Sequence, residues 1–349
     1  MYKRIVVKIG TKVITENGVL SEQAVEKIVD QVAALRKKDI EVVVVTSGAV
    51  ATGASRVSLT RAHDVQARIS VLAAVGQIGL MSLYERLFGE RGFQCAQILV
   101  TKGDFRDREH YANMKNSFAN LLGEKIIPIV NENDAISIGK LGFTDNDELG
   151  GLIASQLNVD AVLFLTGVDG VLKDGAVVPE IREEDTVAFE KEVRDTKSDG
   201  GRGGMLTKFA IARRLMAHGI TVHIVNGKKD QSVIGVVEGK ALGTRFVPTK
   251  KISAVKRRLA YSEGLAAGTV YVDKGAEKIL LAKESASLLP VGIRKIEGDF
   301  KKGETIEIRN EGGKKLGFGI AQYDAETAAP LLGKKGAKAL VHYNYLVID

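Results

Sequence analysis

Residues 4–12 read RIVVKIGTK, a β-branched run broken by one lysine and closed by a glycine. A short apolar run bounded by a turn residue is the pattern of a strand buried on both faces. The pattern recurs in EVVVVTSG (41–48), AVLFLTG (161–167) and VHIVNG (222–227), and CAQILV (95–100) with IIPIV (126–130) supplies two more apolar stretches. Predicted strands therefore span 4–9, 41–45, 95–100, 126–130, 161–165 and 221–225. Stretches of helical period separate them, at 21–38, 64–88, 108–124, 146–157 and 205–219. In the first of these, Ser21 with Ala24 behind it reads as an N-cap, and Val25, Ile28, Val29, Val32 and Leu35 form one apolar stripe. Strands alternating with helices predict an α/β fold, a parallel-rich sheet sandwiched by helices. Such sheets bind ligands beyond the carboxyl ends of their strands, so the loops there are the ones to read for chemistry.

The chain has 349 residues, which suits two domains better than one. Near Pro248 its character changes. A basic stretch, PTKKISAVKRRLA (248–260), precedes short glycine-punctuated runs that predict a small β-rich domain. The expected division is 1–250, a linker at 251–265, and 266–349. The net charge is +7, with the surplus concentrated in the tail; an acidic partner such as nucleic acid is permitted without being required. The single cysteine, Cys95, has no internal partner for a disulfide and sits in an apolar run, which fits a reducing compartment. The chain opens without an apolar signal segment, and no uninterrupted apolar stretch approaches the roughly 20 residues of a membrane span. The expectation is a soluble cytoplasmic protein with no membrane partner.

Lys8 is the first residue that asks for chemistry. A lysine in an apolar strand is costly to bury unless it meets negative charge; the alternative is an edge strand from which it snorkels to water. Gly10 and Thr11 follow, and a glycine turn into a helix start offers N–H groups to an anion. Neither the Walker A pattern nor G-x-G-x-x-G follows any strand. After the second strand, Ser47 and Gly48 read either as a cap and tight turn or as ligand contacts. Asn131, Glu132, Asn133 and Asp134 end the fourth strand at the same edge of the sheet. Asp145, Asn146 and Asp147 open the helix at 146–157. Acids there stabilise a helix start by about 0.3–1 kcal/mol each, or they hold lysines or a metal around a phosphate. Lys208 lies in the first turn of the helix at 205–219, a poor place for a cation unless an anion binds there. The five histidines, His63, His110, His218, His223 and His342, lie away from these loops.

Seven motifs, VVKIGTKVIT (6–15), VTSGAVATG (45–53), AAVGQIGLM (73–81), IPIVNENDAI (127–136), FTDNDEL (143–149), LFLTGVDGV (163–171) and GGRGGMLTK (200–208), occur in one order. That series resembles the amino acid kinase family, in particular its members that act on free glutamate, over residues 3 to about 250. The tail from GTVYVDKGAEKIL (268–280) onward resembles a PUA domain. The resemblance implies the amino acid kinase fold and ATP-dependent phosphorylation of the side-chain carboxylate of L-glutamate to L-glutamyl 5-phosphate, the first step of proline biosynthesis. It implies ATP with Mg²⁺ carried on the nucleotide, and no metal ligands of the chain itself. By this likeness Lys8 and Lys208 contact the transferring phosphoryl group while Asp147, with Asp145, orients them. Ser47, Asp134, Asp145 and Asn146 fall on substrate positions. Gly10, Thr166, Gly167, Arg202, Gly203, Gly204, Met205, Leu206 and Thr207 join the two lysines on the nucleotide side. Arg202 departs from a usual small or hydroxyl residue, and Gly150 with Gly151 stand where Ser-Ala-like residues are common. The likeness also implies feedback inhibition by proline, hand-off to glutamyl phosphate reductase, and a homo-oligomer, dimer or tetramer.

Chemistry agrees with that expectation in one respect. A glutamate side chain, with a pKa near 4.3, is already ionised at neutral pH and needs no general base, so histidine-free loops are no obstacle. What it needs is relief of repulsion between two anions, which lysines and N–H groups supply. Two other readings stand beside it: a relative acting on acetylglutamate, aspartate, carbamate or UMP, and an RNA binder working through the basic tail. For the second, the aromatic residues of the tail, Tyr261, Tyr271, Phe300, Phe318, Tyr323, Tyr343 and Tyr345, are few for base stacking.

Overall fold

The computed structural model describes residues 2–60, 64–137, 146–182, 185, 186, 189, 204–217, 219–248, 266–282 and 286–348. Two compact units emerge, one of Met1–Lys102 with Asn113–Lys251, the other of Gly103–Ala112 with Ile252–Asp349. The linker expected at 251–265 lies outside the described residues.

Eight strands form the sheet of the first unit. In chain order they are β1 (Arg4–Ile9), β2 (Glu41–Val45), β3 (Cys95–Val100), β4 (Ile127–Glu132), β5 (Ala161–Thr166), β6 (Glu180–Arg182), β7 (Thr221–Asn226) and β8 (Thr244–Val247). Their spatial order is β6-β8-β7-β5-β1-β2-β4-β3. The six strands read from the sequence all run parallel. β8 runs antiparallel to β7 and parallel to β6; neither was foreseen, because each is short and carries a charged side chain into solvent.

β1 lies at the centre, Lys8 facing Val45 of β2 on one side and Phe164 of β5 on the other. The edge-strand alternative for Lys8 is thereby removed. Side chains alternate along a strand. Ile5, Val7 and Ile9 join Val42, Val44, Leu163 and Leu165 in a core with Val25, Ile28, Val29 and Val32 of helix α1 (Glu22–Lys37). The Ser21 cap is formed, its hydroxyl accepting from the Ala24 amide at 3.4 Å. Lys8 shares the opposite face with Val6, under helix α4 (Asn146–Leu157), which packs on β1 and on helix α5 (Met205–Ala217).

Two further helices connect β2 to β3: α2 (Ala49–Ala54) and α3 (Val65–Glu90). By length and composition α3 is apolar enough to cross a membrane. Its Leu72, Ala73, Leu80, Tyr84, Leu87 and Phe88 are instead buried within the unit, which is what a core helix does with such a face.

The C-terminal unit holds a mixed sheet of β9 (Gly268–Val272), β10 (Ile293–Glu297), β11 (Thr305–Asn310), β12 (Lys315–Ile320) and β13 (Leu346–Ile348), in the order β10-β9-β11-β12-β13. Val270, Phe300, Ile306, Ile308 and Val341 fill its core. Phe318 is buried as well, while Tyr343 and Tyr345 are exposed; Tyr261 lies outside the described residues.

One buried histidine makes the first unit sensitive to acid. His223 in β7 is 5% exposed, and its Nε2 pairs with the Tyr2 hydroxyl at 2.8 Å. Burial, and then the Arg245 charge, push its pKa down to about 4. The unfolded chain binds this proton below about pH 6.5 and the folded chain does not. The stabilisation is therefore complete above that pH and is lost as pH falls towards 4, at up to about 1.4 kcal/mol per pH unit. In urea titrations at pH 7, 6 and 5, His223→Gln is expected to lose stability less steeply than the parent; equal slopes would refute the assignment.

Candidate active site

The loops at the carboxyl ends of β1, β2, β4 and β5 and the first turns of α4 and α5 supply the residues singled out in the sequence. Asp147 opens α4 with its side chain at 0% exposure. One carboxylate oxygen lies 2.6 Å from the Lys8 ammonium and the other 2.7 Å from that of Lys208. Residues 200 apart in the chain thus meet on one carboxylate. Burial works to raise the Asp147 pKa, yet the two lysines outweigh it and hold the carboxyl below its ordinary value. One carboxylate thus holds two ammonium groups side by side, and such a pair of cations suits an anionic ligand. Gly150, one turn along α4, faces the stem of Lys8, with room at 3.4 Å for an added Cβ.

Asn146 stands beside Asp147 and ties α4 to β2 and β4. Its Nδ2 lies 2.7 Å from the Thr46 carbonyl, 3.0 Å from Ser47 Oγ and 2.9 Å from Asn131 Oδ1. Ser47 is held from below too: the neighbouring Thr46 hydroxyl meets the hydroxyl of Tyr84 at 2.9 Å. Tyr84 lies wholly in the core, and burial pushes its pKa well above the ordinary tyrosine value. Gly48 then turns the chain at φ +101°, where any side chain would be strained.

Asp134 lies in the loop after β4, half-buried, its pKa raised by desolvation. A cleft of about 230 Å³ runs past it, lined also by Ala49, Gln77, Gln97 and Glu132. After β5, the Thr166 hydroxyl donates to the Val168 carbonyl and accepts its amide, and nothing crowds Gly167. Gly10 donates to the Leu165 carbonyl at 3.1 Å and its own carbonyl accepts from Val13. The Gly204 carbonyl accepts from Thr207 and Lys208 as α5 starts at Met205, and Leu206 is exposed. Asp145, Arg202 and Gly203 lie outside the described residues.

Lys8, Asp147 and Lys208 are therefore one cluster, and Ser47 with Asn146 a second, adjacent through consecutive residues of α4. Thr46, Tyr84 and Gln77 were not singled out from the sequence. Their roles depend on contacts 38 to 100 residues away, and only the polar residue inside the glycine-rich VGQIG offered a signal.

The fold and the paired lysines define a phosphotransferase-like α/β unit, and comparison with known proteins places it: the chain belongs to the amino acid kinase family, whose model matches residues 3–226. Residues 268–343 match the PUA domain model. Among full-length relatives, the glutamate 5-kinase of Chlorobaculum tepidum is 47% identical, covering 100% of this chain and 98% of its own. The glutamate 5-kinase of Bacteroides thetaiotaomicron is 41% identical at 100% and 99% coverage. A carbamate kinase from Giardia lamblia, solved with AMP-PNP, superposes with a TM-score of 0.54 at 16% identity, covering 70% of this chain and 98% of that one; it shares the fold.

The position of Ser47 depends on how closely α2 approaches α3. A Cβ at Gly76 would lie 1.8 Å from the Ala49 carbonyl oxygen and 2.4 Å from the Gly53 amide, all backbone. Gly76→Ala must push α2 away and carry the Ser47–Gly48 turn with it. We expect a loss of about 1–3 kcal/mol in urea unfolding, together with weaker substrate binding. Unchanged stability would show that the two helices separate freely.

Proposed function

We propose that this chain transfers the γ-phosphoryl group of MgATP to the side-chain carboxylate of L-glutamate, giving L-glutamyl 5-phosphate, the entry step of proline biosynthesis. The observation that carries the mechanism is the pair of ammonium groups on Asp147. The nucleophile is an anion at neutral pH, so catalysis consists of bringing it in line with the phosphorus and neutralising charge. Lys8 and Lys208 meet the transferring group and the leaving oxygen, and Asp147 keeps both from straying. A phosphate beside Lys208 would also meet the positive end of α5, which turns an unfavourable place for a cation into a favourable one. Magnesium would arrive with the nucleotide rather than on ligands of the chain, and would supply further neutralisation of phosphate charge.

Ser47, Asp134 and Asn146 hold the amino acid, Asp145 adding to them. By the family likeness Thr166, Gly167 and Gly10 serve the nucleotide, together with Arg202, Gly203, Gly204, Met205, Leu206 and Thr207 of the chain. The product is an acyl phosphate, labile in water, so direct hand-off to glutamyl phosphate reductase in the cytoplasm belongs to this reading. So do feedback inhibition by proline, which shares the zwitterionic α-amino acid core, and assembly as a homo-oligomer.

The test is phosphoryl transfer with glutamate and MgATP, the product trapped by hydroxylamine. Lys8→Ala is expected to lower kcat by about 10²–10³-fold, the size of losing one preorganised charge donor, with its circular dichroism unchanged. Activity on aspartate, N-acetylglutamate or UMP but not on glutamate would overturn the substrate; a fully active Lys8→Ala would overturn the mechanism.

A further inference from the structure

A row of side-chain amides runs from the edge of the sheet to the substrate residues. Gln97 on β3 accepts from Gln77 Nε2 at 3.0 Å. Gln77 Oε1 accepts from Asn131 Nδ2 at 2.9 Å. Asn131 Oδ1 accepts from the Glu132 backbone amide and from Asn146 Nδ2, both at 2.9 Å. Asn131 is 1% exposed, so its amide has no water to turn to. The backbone amide of Glu132 and the acceptor on Gln77 together allow it one orientation.

That orientation passes to Asn146. Its Nδ2 faces three acceptors, Thr46 O, Ser47 Oγ and Asn131 Oδ1, so its own Oδ1 must point elsewhere. That oxygen is buried and has no hydrogen-bond partner among the described residues. A buried carbonyl oxygen without a donor is a cost that a ligand N–H removes. Asp134, its carboxylate also without a hydrogen bond or ion pair among the described residues, borders the same cleft as Gln77. Acceptors of this kind, one neutral and one anionic, recognise an ammonium group.

We propose that Gln77 is a positioning residue for substrate selectivity: through Asn131 it fixes the Asn146 amide with its carbonyl free, so that the site takes an acid bearing a free α-ammonium group. The inference rests on the glutamate reading and deepens it. Gln77 acts at one remove, and its loss leaves the lysines of the phosphoryl site untouched.

The test uses the full-length protein and two variants. Gln77→Met keeps the length and removes the acceptor, leaving the Asn131 amide free to turn. Gln77→Glu keeps the acceptor, and the exposed Gln97 can turn its amide to donate. For Gln77→Met, KM for glutamate is expected to rise about tenfold, equivalent to about 1.4 kcal/mol. KM for ATP and kcat should stay within about twofold, the pattern of lost substrate binding. Glutarate, which lacks the amine, serves as a competitive inhibitor, and its inhibition constant is expected to change little. Gln77→Glu restores the KM for glutamate. Should the Met variant fold poorly by circular dichroism, Gln77→Leu takes its place. A parallel rise for glutamate and glutarate, an unchanged KM in Gln77→Met, or failure of Gln77→Glu to restore it each overturns the role of Gln77. Parent enzyme that does not phosphorylate glutamate overturns the functional reading instead, and the two failures are told apart by the unsubstituted control.

Discussion

A carboxylate that no water reaches, gripped on both oxygens by lysines, is the constraint around which the first unit is organised. Asp147 is tolerable in the interior because Lys8 and Lys208 meet it, and Lys8 is tolerable in a central strand because Asp147 meets it. Removing one member of such a cluster strands the others, which typically costs several kcal/mol. The requirement fixes α4 over β1 and brings the start of α5 to the same place. Local preferences point the same way for the acid, which gains from the positive end of α4. They oppose the placement of Lys208, which stands at the positive end of its own helix. Tertiary charge pairing overrides the local penalty.

The second organising element is the contact of α2 with α3, where backbone meets backbone. Gly53 and Gly76 leave no side chain between the helices, and Tyr84 rises from α3 to meet Thr46. Ser47 and Asn146 are thus held by neighbours that are themselves immobilised by packing, which is how a binding constellation is kept to a narrow geometry. The helix that does this is apolar enough to resemble a membrane span, and its hydrophobicity goes into a core face that supports the Ser47–Gly48 turn.

Four of the parallel strands were legible because β-branched runs ended in glycine and the other two as short apolar stretches, and the candidate site residues were legible because such loops collect at one edge of a sheet. Lys8 was informative in itself: a lysine between Val7 and Ile9 demands a partner, and Asp147 was among the acids nominated. β6 and β8 were not legible. EIR and TRFV are too short and too charged to show a period, and they become strands by pairing with each other and with β7. Helix α2, AVATGA, has weak helical propensity and exists because α3 receives it. Nor did chain order show that Gly103–Ala112 clusters with the C-terminal residues. The amide row escaped notice because hydrogen bonds between distant glutamines and asparagines leave no pattern along a chain.

Strand order also shapes the birth of the protein. β1 pairs with β2 (Glu41–Val45) on one edge and with β5 (Ala161–Thr166) on the other, so its second partner is synthesised about 150 residues later. At ribosomal rates of about 5–20 residues per second that interval is on the order of ten seconds. An open, apolar strand edge invites pairing with stray chains, and an inward-pointing charge is one of the devices that discourage it. Lys8 is such a charge: in the folded sheet it pairs with Asp147, and on a β1 still lacking β5 it would make edge pairing with stray chains costly.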